Sequence, residues 1–209
     1  MNTYAASQTD NSFNDLDELL NQLSQSLISH SRRVAVCASI LAEEANNTPH
    51  IRNIVAGAHF PMLVHLGSSC HDIGKIYSPA IGTTEDEYWQ HPAAGATLLQ
   101  QNAVNLFDSN IPIDVIMEIV RHHHEHSDGS GFPDGVMAKD ISVAAGICAV
   151  ANRLDHRMDH VQNESEFDSV FQDMMALGGK IFTHYALDCF ERVWPQLKEK
   201  YYDWNNVLL

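Results

Sequence analysis

Apolar residues recur along this chain at spacings of three and four, with no useful length of strict alternation, which is the pattern of helices rather than strands. Asp15 to Ser29 carries Leu16, Leu19, Leu20, Leu23 and Leu27 on one face, and Ser31 to Ala45 repeats the pattern with Val34, Ala35, Ala38, Leu41 and Ala42. Pro49 suits the first turn of a third helix that ends near Gly74, and Pro61 is expected to kink or split it. A short loop with Pro79 and Gly82 follows. Thr84 and Glu87 have capping-box spacing and open a helix to about Asn102. Pro112 opens another, which ends at a cluster of histidines. Ser127 to Gly135 holds three glycines and a proline and reads as a loop. Lys139 to Arg157, Ser165 to Leu177 and Thr183 to Tyr201 are the last predicted helices, with Gly178 and Gly179 marking the break before the final one. The expected fold class is all-α, a helical domain over 15–209 preceded by a polar, flexible lead-in over 1–14.

Composition narrows the picture. The 209 residues suit one domain with a substantial core, and 44% of them are hydrophobic. No apolar run approaches the length of a membrane span. The amino terminus has neither the basic start nor the apolar core of a secretory signal. A net charge of −15 repels a nucleic-acid backbone, so a polymer-binding surface is not expected. A small anionic substrate remains compatible, held locally by metals and a few cations. Cys37, Cys70, Cys148 and Cys189 are scattered and form no CxxC pair, which excludes a zinc ribbon or a thioredoxin-like motif. Each lies in an apolar stretch, so buried free thiols and a cytoplasmic location are expected.

Candidate chemistry comes from the thirteen histidines. His71-Asp72-Ile73-Gly74-Lys75 sets an imidazole beside a carboxylate able to bridge two metals. Lys75 returns to the same face if the helix persists, where it could hold a phosphate oxygen. Gly74 allows the backbone to bend away after the ligands. Arg121-His122-His123-His124-Glu125-His126 places four histidines in five positions, which core packing does not explain and metal binding does. His91, before Pro92, and His30, at the head of His30-Ser31-Arg32-Arg33-Val34-Ala35, gain weight only as part of this ensemble. Taken singly, each is more often a surface or capping histidine.

These strings, with Gly95 after His91-Pro92 and with Asp128-Gly129-Ser130-Gly131-Phe132-Pro133, resemble the HD-GYP family, a branch of the HD superfamily of metal-dependent phosphohydrolases, from about Leu23 to Phe190. The namesake Gly-Tyr-Pro reads Gly131-Phe132-Pro133. The resemblance implies an HD-type helical bundle with additional C-terminal helices. It implies hydrolysis of a cyclic dinucleotide such as cyclic di-GMP and two divalent metals, iron or manganese. It further implies one metal on His30, His71 and Asp72, a second on Asp72, His91, His123 and His124, and catalytic roles for bridging Asp72 and for Lys75.

Three departures from the family pattern carry consequences. Asn152 stands at a ligand position where the family has aspartate, so the His30 side of the site should bind metal more weakly. Asp155, three residues on, would replace it only if the helix shifted register. Ser26 stands where some members carry a glutamate for a third metal, so at most two are expected. The family's Arg-Pro-Tyr segment has no counterpart at Met158-Asp159-His160-Val161. Two further readings therefore stay open: a catalytically weak metal-binding signalling module that binds a nucleotide or a protein, and a mononucleotide phosphohydrolase. The loop Ser127 to Gly135 is expected to be mobile, to roof or flank the site, and to leave backbone amides free for phosphate or partner contacts.

Overall fold

A computed structural model describes residues 13, 15–53, 57–77, 85–159, 161 and 163–207. Among these residues the chain is helical and forms no strand; an isolated bridge joins Gly178 to Phe182. The helices are α1 (Leu16–Leu20), α2 (Gln25–Asn47), α3 (Pro49–Arg52), α4 (Phe60–Ser69), α5 (Glu85–Leu106), α6 (Ile113–His122), α7 (Val143–Met158), α8 (Glu164–Met175) and α9 (His184–Val207). Short 3-10 turns occupy Gly57–His59 and Ile73–Tyr77. The fold is thus the expected all-α bundle, with two helices after the last site-bearing one.

Several boundaries differ from the sequence reading, each for a local reason. The first predicted helix ends at Leu20, because Ser24 is an effective N-cap: its side chain accepts from the Leu27 amide and starts α2 at Gln25. The expected break at His30 is therefore absent, and His30 sits in the second turn of a 23-residue helix. The helix predicted from Pro49 is split as expected, into α3 and α4, and Pro61 marks the start of the second piece rather than a kink. Pro61 lies in the first turn of α4, where its missing N–H leaves no bond unmade. The helix predicted from Lys139 begins only at Val143, because Ser142 caps it by accepting from Ala145 N. The lead-in apart from Phe13, the Pro79–Gly82 loop and the Thr84–Glu87 capping pair lie outside the described residues or side chains.

Two apolar clusters hold the bundle. The larger joins α2, α4, α7, α8 and α9 through residues such as Val34, Leu41, Val64, Ile147, Phe190 and Leu197. The smaller joins α1, α5 and α6 through Leu19, Leu98, Leu99, Ile116 and Val120. Cys37, Cys70, Cys148 and Cys189 are free and buried. The segment following α4, which carries His71 and Asp72, lies against the smaller cluster, to which Cys70 and Ile73 on either side of it belong. Here the 3-10 turn approaches α5 closely. A Cβ on Gly74 would stand 2.0 Å from the His91 carbonyl oxygen, so Gly74 serves close packing rather than the expected bend. No described helix is long and apolar enough to cross a membrane.

Candidate metal centre

Three histidines of the site are aimed by the same local device. A helix leaves its last carbonyls without intrahelical partners, and a proline does the same for the carbonyl four residues before it. α4 ends at Ser69, and the Ser68 carbonyl accepts from His71 Nδ1 at 2.8 Å. α6 ends at His122, and the Val120 carbonyl accepts from His123 Nδ1 at 3.0 Å. Pro92 frees the Tyr88 carbonyl inside α5, and His91 Nδ1 donates to it at 2.6 Å. A carbonyl can only accept, so each ring carries its proton on Nδ1 and turns the Nε2 lone pair inward.

Those lone pairs converge on Asp72. Its Oδ1 lies 3.2 Å from His91 Nε2 and 3.8 Å from His123 Nε2. Its Oδ2 lies 3.5 Å from His71 Nε2, 3.9 Å from His30 Nε2 and 2.6 Å from Lys75 Nζ. His91 Nε2 and His123 Nε2 are 3.3 Å apart, and both Nδ1 protons are already committed. Asp72 Oδ1, His71 Nε2 and His124 Nε2 are buried without a hydrogen-bond partner. Acceptors that face one another in a buried site with no proton between them are destabilised, and a cation relieves them. Among the described residues, three groups of donor atoms lie within 4.8 Å of one another, and two of them share Asp72: Asp72 with His91, His123 and His124, and Asp72 with His30 and His71. Either of these two could hold a metal ion. The third, His122 with Glu125 and Asp134, lacks Asp72 and is already tied up with Arg121 and the loop amides.

Burial pushes the His71 imidazole down to about 4 and that of His124 down to about 2, and it holds His123 well below the usual range. These rings are neutral near pH 7, the form that binds metals. Burial opposes ionisation of Asp72, but its carboxyl is held well below its ordinary value, and with these rings neutral the Lys75 ammonium at 2.6 Å is the positive charge that favours the carboxylate.

His30 is aimed differently. Its Nδ1 meets Asp155 Oδ2 at 2.7 Å, which turns Nε2 toward Asn152 Oδ1 at 3.1 Å. Asp155 also takes a two-pronged bond from Arg33 at 2.8 Å on each arm, and a bond from the Tyr201 hydroxyl at 2.8 Å. Burial opposes the Asp155 charge, yet hydrogen bonds from His30 and Arg33 bring its pKa down to about 2. Asp155 thus sits behind His30 and Asn152 in front of it, so the register shift that would have put Asp155 in the ligand position does not occur. Sequence reasoning missed both Asp155 as the orienting carboxylate and Tyr201, which arrives from α9.

The remaining expectations divide. Lys75 reaches Asp72 although the helix does not persist, because the 3-10 turn brings it back at i+3. Of the four clustered histidines only His123 and His124 face Asp72. His122 pairs with Asp134 at 3.0 Å and His126 with Ser130 at 3.0 Å. Ser26 bonds Ser24 at 3.0 Å. The loop Ser127 to Gly135 flanks the site through Phe132, whose ring stacks on His124 at 4.7 Å. Seven of its amides are bonded. Buried Glu125 accepts from Asp134 and Gly135, and also from Val136 just beyond the loop. Backbone carbonyls or Asp128 take the amides of Ser127, Asp128, Gly129, Ser130 and Phe132.

Known proteins share this architecture. The HD domain family model matches residues 27–157. A cyclic di-GMP phosphodiesterase of Thermotoga maritima is 27% identical over 88% of this chain and 50% of its own length. The cyclic di-GMP phosphodiesterase response regulator RpfG of Xanthomonas campestris is 30% identical over 66% of this chain and 38% of its own. The chain therefore spans half or less of these relatives. Among solved structures, the HD domain of the L. monocytogenes phosphodiesterase PgpH in complex with cyclic-di-AMP superposes with a TM-score of 0.56 at 15% identity, covering 90% of this chain and 97% of that one. With its helical bundle, its His-Asp pair and the match to residues 27–157, this chain belongs to the HD domain family, as a divergent HD-GYP-like member.

Proposed function

We propose that the chain is a metal-dependent phosphodiesterase acting on a cyclic dinucleotide such as cyclic di-GMP. In this reading His30, His71, Asp72 and Asn152 hold one divalent ion, and Asp72, His91, His123 and His124 hold the second. The carrying observation is the convergence of unpartnered lone pairs from several helices on one buried carboxylate. The activities for which the two relatives are named support the substrate class. Imidazole and carboxylate donors suit iron or manganese. Free buried thiols fit a reducing compartment such as the cytoplasm.

Two bound divalent ions supply a water of lowered pKa and neutralise phosphate charge. The chain supplies the rest. Asp72 faces both donor groups and fixes their separation. Lys75, tethered to Asp72 Oδ2, can exchange that contact for a phosphate oxygen and stabilise charge developing there. Asp155 keeps the His30 proton on Nδ1, and Phe132 shields one face of His124 from water.

The test is metal analysis of the untagged protein, followed by incubation with cyclic di-GMP and cyclic di-AMP before and after chelation. Two equivalents of metal, and hydrolysis lost on chelation and restored by manganese or iron, are expected. A folded protein that binds no divalent ion would overturn the reading. Asn152, which brings no charge, favours the second reading, a metal-binding module of weak catalysis. Metal and nucleotide bound without product would establish that instead.

A further inference from the structure

The rim beside His91 and His124 carries chemistry that holding a phosphodiester does not require. Tyr88 and Trp89 are 43% and 42% exposed, although both present large apolar ring faces. Trp89 stands edge-on to Phe132, with centroids 4.3 Å apart and planes at 78°. Tyr88 lies 6.0 Å from Phe132, 5.5 Å from His91 and 5.8 Å from His124. Phe132 in turn lies flat on His124, at 17°. Aromatic surface therefore runs without interruption from two proposed ligands out to solvent. Lys75 Nζ stands 6.0 Å from the centre of the Tyr88 ring, so the cation assigned to phosphate borders the same wall.

We infer that Trp89, walled by Tyr88 and Phe132 whose rings stand at 84° and 78° to its own, is a base-stacking platform for one purine of a nucleotide phosphodiester whose phosphate sits at the Asp72 cluster. Exposed rings lose little by accepting a planar heteroaromatic partner, because every base offers a π-face and no hydrogen-bond match is needed. The wall adjoins only the His91–His124 side of the site, so it sets the end of the substrate at which the base must lie. A site for inorganic phosphate or a base-free diester has no use for it. The occupant rests on the phosphodiesterase reading above, and the platform adds to that reading how nucleotides are selected.

The test uses the full chain loaded with manganese and three probes: cyclic di-GMP, cyclic di-AMP and inorganic phosphate. Stacking should quench tryptophan emission as either dinucleotide is added, and Trp89→Phe should abolish that quench. Trp89→Ala should raise KM by about tenfold or more, the loss expected for one stacking ring, with kcat changing far less. Trp89→Phe should recover part of that loss. Inhibition by inorganic phosphate should stay the same in both variants. An unchanged KM in Trp89→Ala, or a rise matched by equally weakened phosphate inhibition, would overturn the platform. So would a wild-type dimer that dissociates in Trp89→Ala at constant KM, which would make the wall a protein contact. If the wild type binds phosphate through metal but neither binds nor hydrolyses a dinucleotide, the phosphodiesterase reading fails and the platform with it. The wild type alone decides that point, while the variants decide the platform.

Discussion

The two sides of the site differ in one histidine: His71, like His91 and His123, is aimed locally, whereas His30 is aimed by a remote network. On one side, His91 and His123 are aimed by the carbonyl three residues earlier, left free by Pro92 in one case and by the end of α6 in the other. Nothing beyond one turn of chain is needed. On the other side, His30 depends on Asp155, 125 positions away, which is itself held by Arg33 and by Tyr201 from the last helix. A locally aimed ligand survives as long as its helix does. A remotely aimed one fails when any partner in the network is lost. The His30 side should therefore be the more sensitive to change, and it is also the side where Asn152 contributes no charge.

The largest expected effect erases the comparison. Among the described residues Asp72 is the one carboxylate shared by both donor groups, so Asp72→Ala should empty both sides and abolish turnover. Retention of one full metal equivalent would show that one side stands without it. Lys75→Ala comes next. Its ammonium is 2.6 Å from Asp72 Oδ2 and repels an incoming cation, so metal content should not fall. Turnover should drop by roughly 10²–10³, as for loss of one donor to developing charge. Full activity in this variant would remove Lys75 from the mechanism.

Smaller changes should separate the sides. Asp155→Asn and Tyr201→Phe leave the Asp72, His91, His123 and His124 group untouched. Loss of a carboxylate that orients a metal-binding histidine typically costs roughly 10–100-fold in affinity. Asp155→Asn should weaken one of the two equivalents by about that factor, and Tyr201→Phe by less, since Arg33 still holds Asp155. Equal weakening of both equivalents in calorimetric titration would contradict the proposed independence of the two sides.

The same contrast explains what the sequence could reveal. Short-range devices leave short-range strings: His71-Asp72, His91-Pro92 and the paired His123-His124 are legible because helix ends and prolines act within four residues. Glu125 is adjacent to that string, yet its role in holding the loop amides is not visible there, which is why the glycine-rich stretch reads as mobile. Asp155 and Tyr201 lie 46 positions apart and meet only when α9 packs on α7, so no spacing announces them. Ser24 and Ser142 show the limit for fold. Capping chemistry was present in the sequence, but choosing among neighbouring polar residues depends on which one the packed helix leaves at its end.

The smallest effect expected is also the most diagnostic of the charge difference. Asn152 Oδ1 stands 3.1 Å from His30 Nε2, within the group that already holds Asp72. Asn152→Asp replaces an amide with a nearly isosteric carboxylate, so packing should change little. Without metal, the new charge is buried near Asp72 and Asp155, and like charges in a buried site oppose one another. The metal-free variant should therefore melt below the wild type. With metal, the added carboxylate neutralises the ion and raises affinity on the His30 side alone. Because a ligand that binds only the folded state stabilises it by mass action, the gain in melting temperature on adding manganese should be larger in Asn152→Asp than in the wild type. The weaker equivalent should tighten and the stronger one stay put. If the metal-induced gain is no larger than in the wild type, Asn152 does not face the ion, and the weakness of the His30 side has another origin.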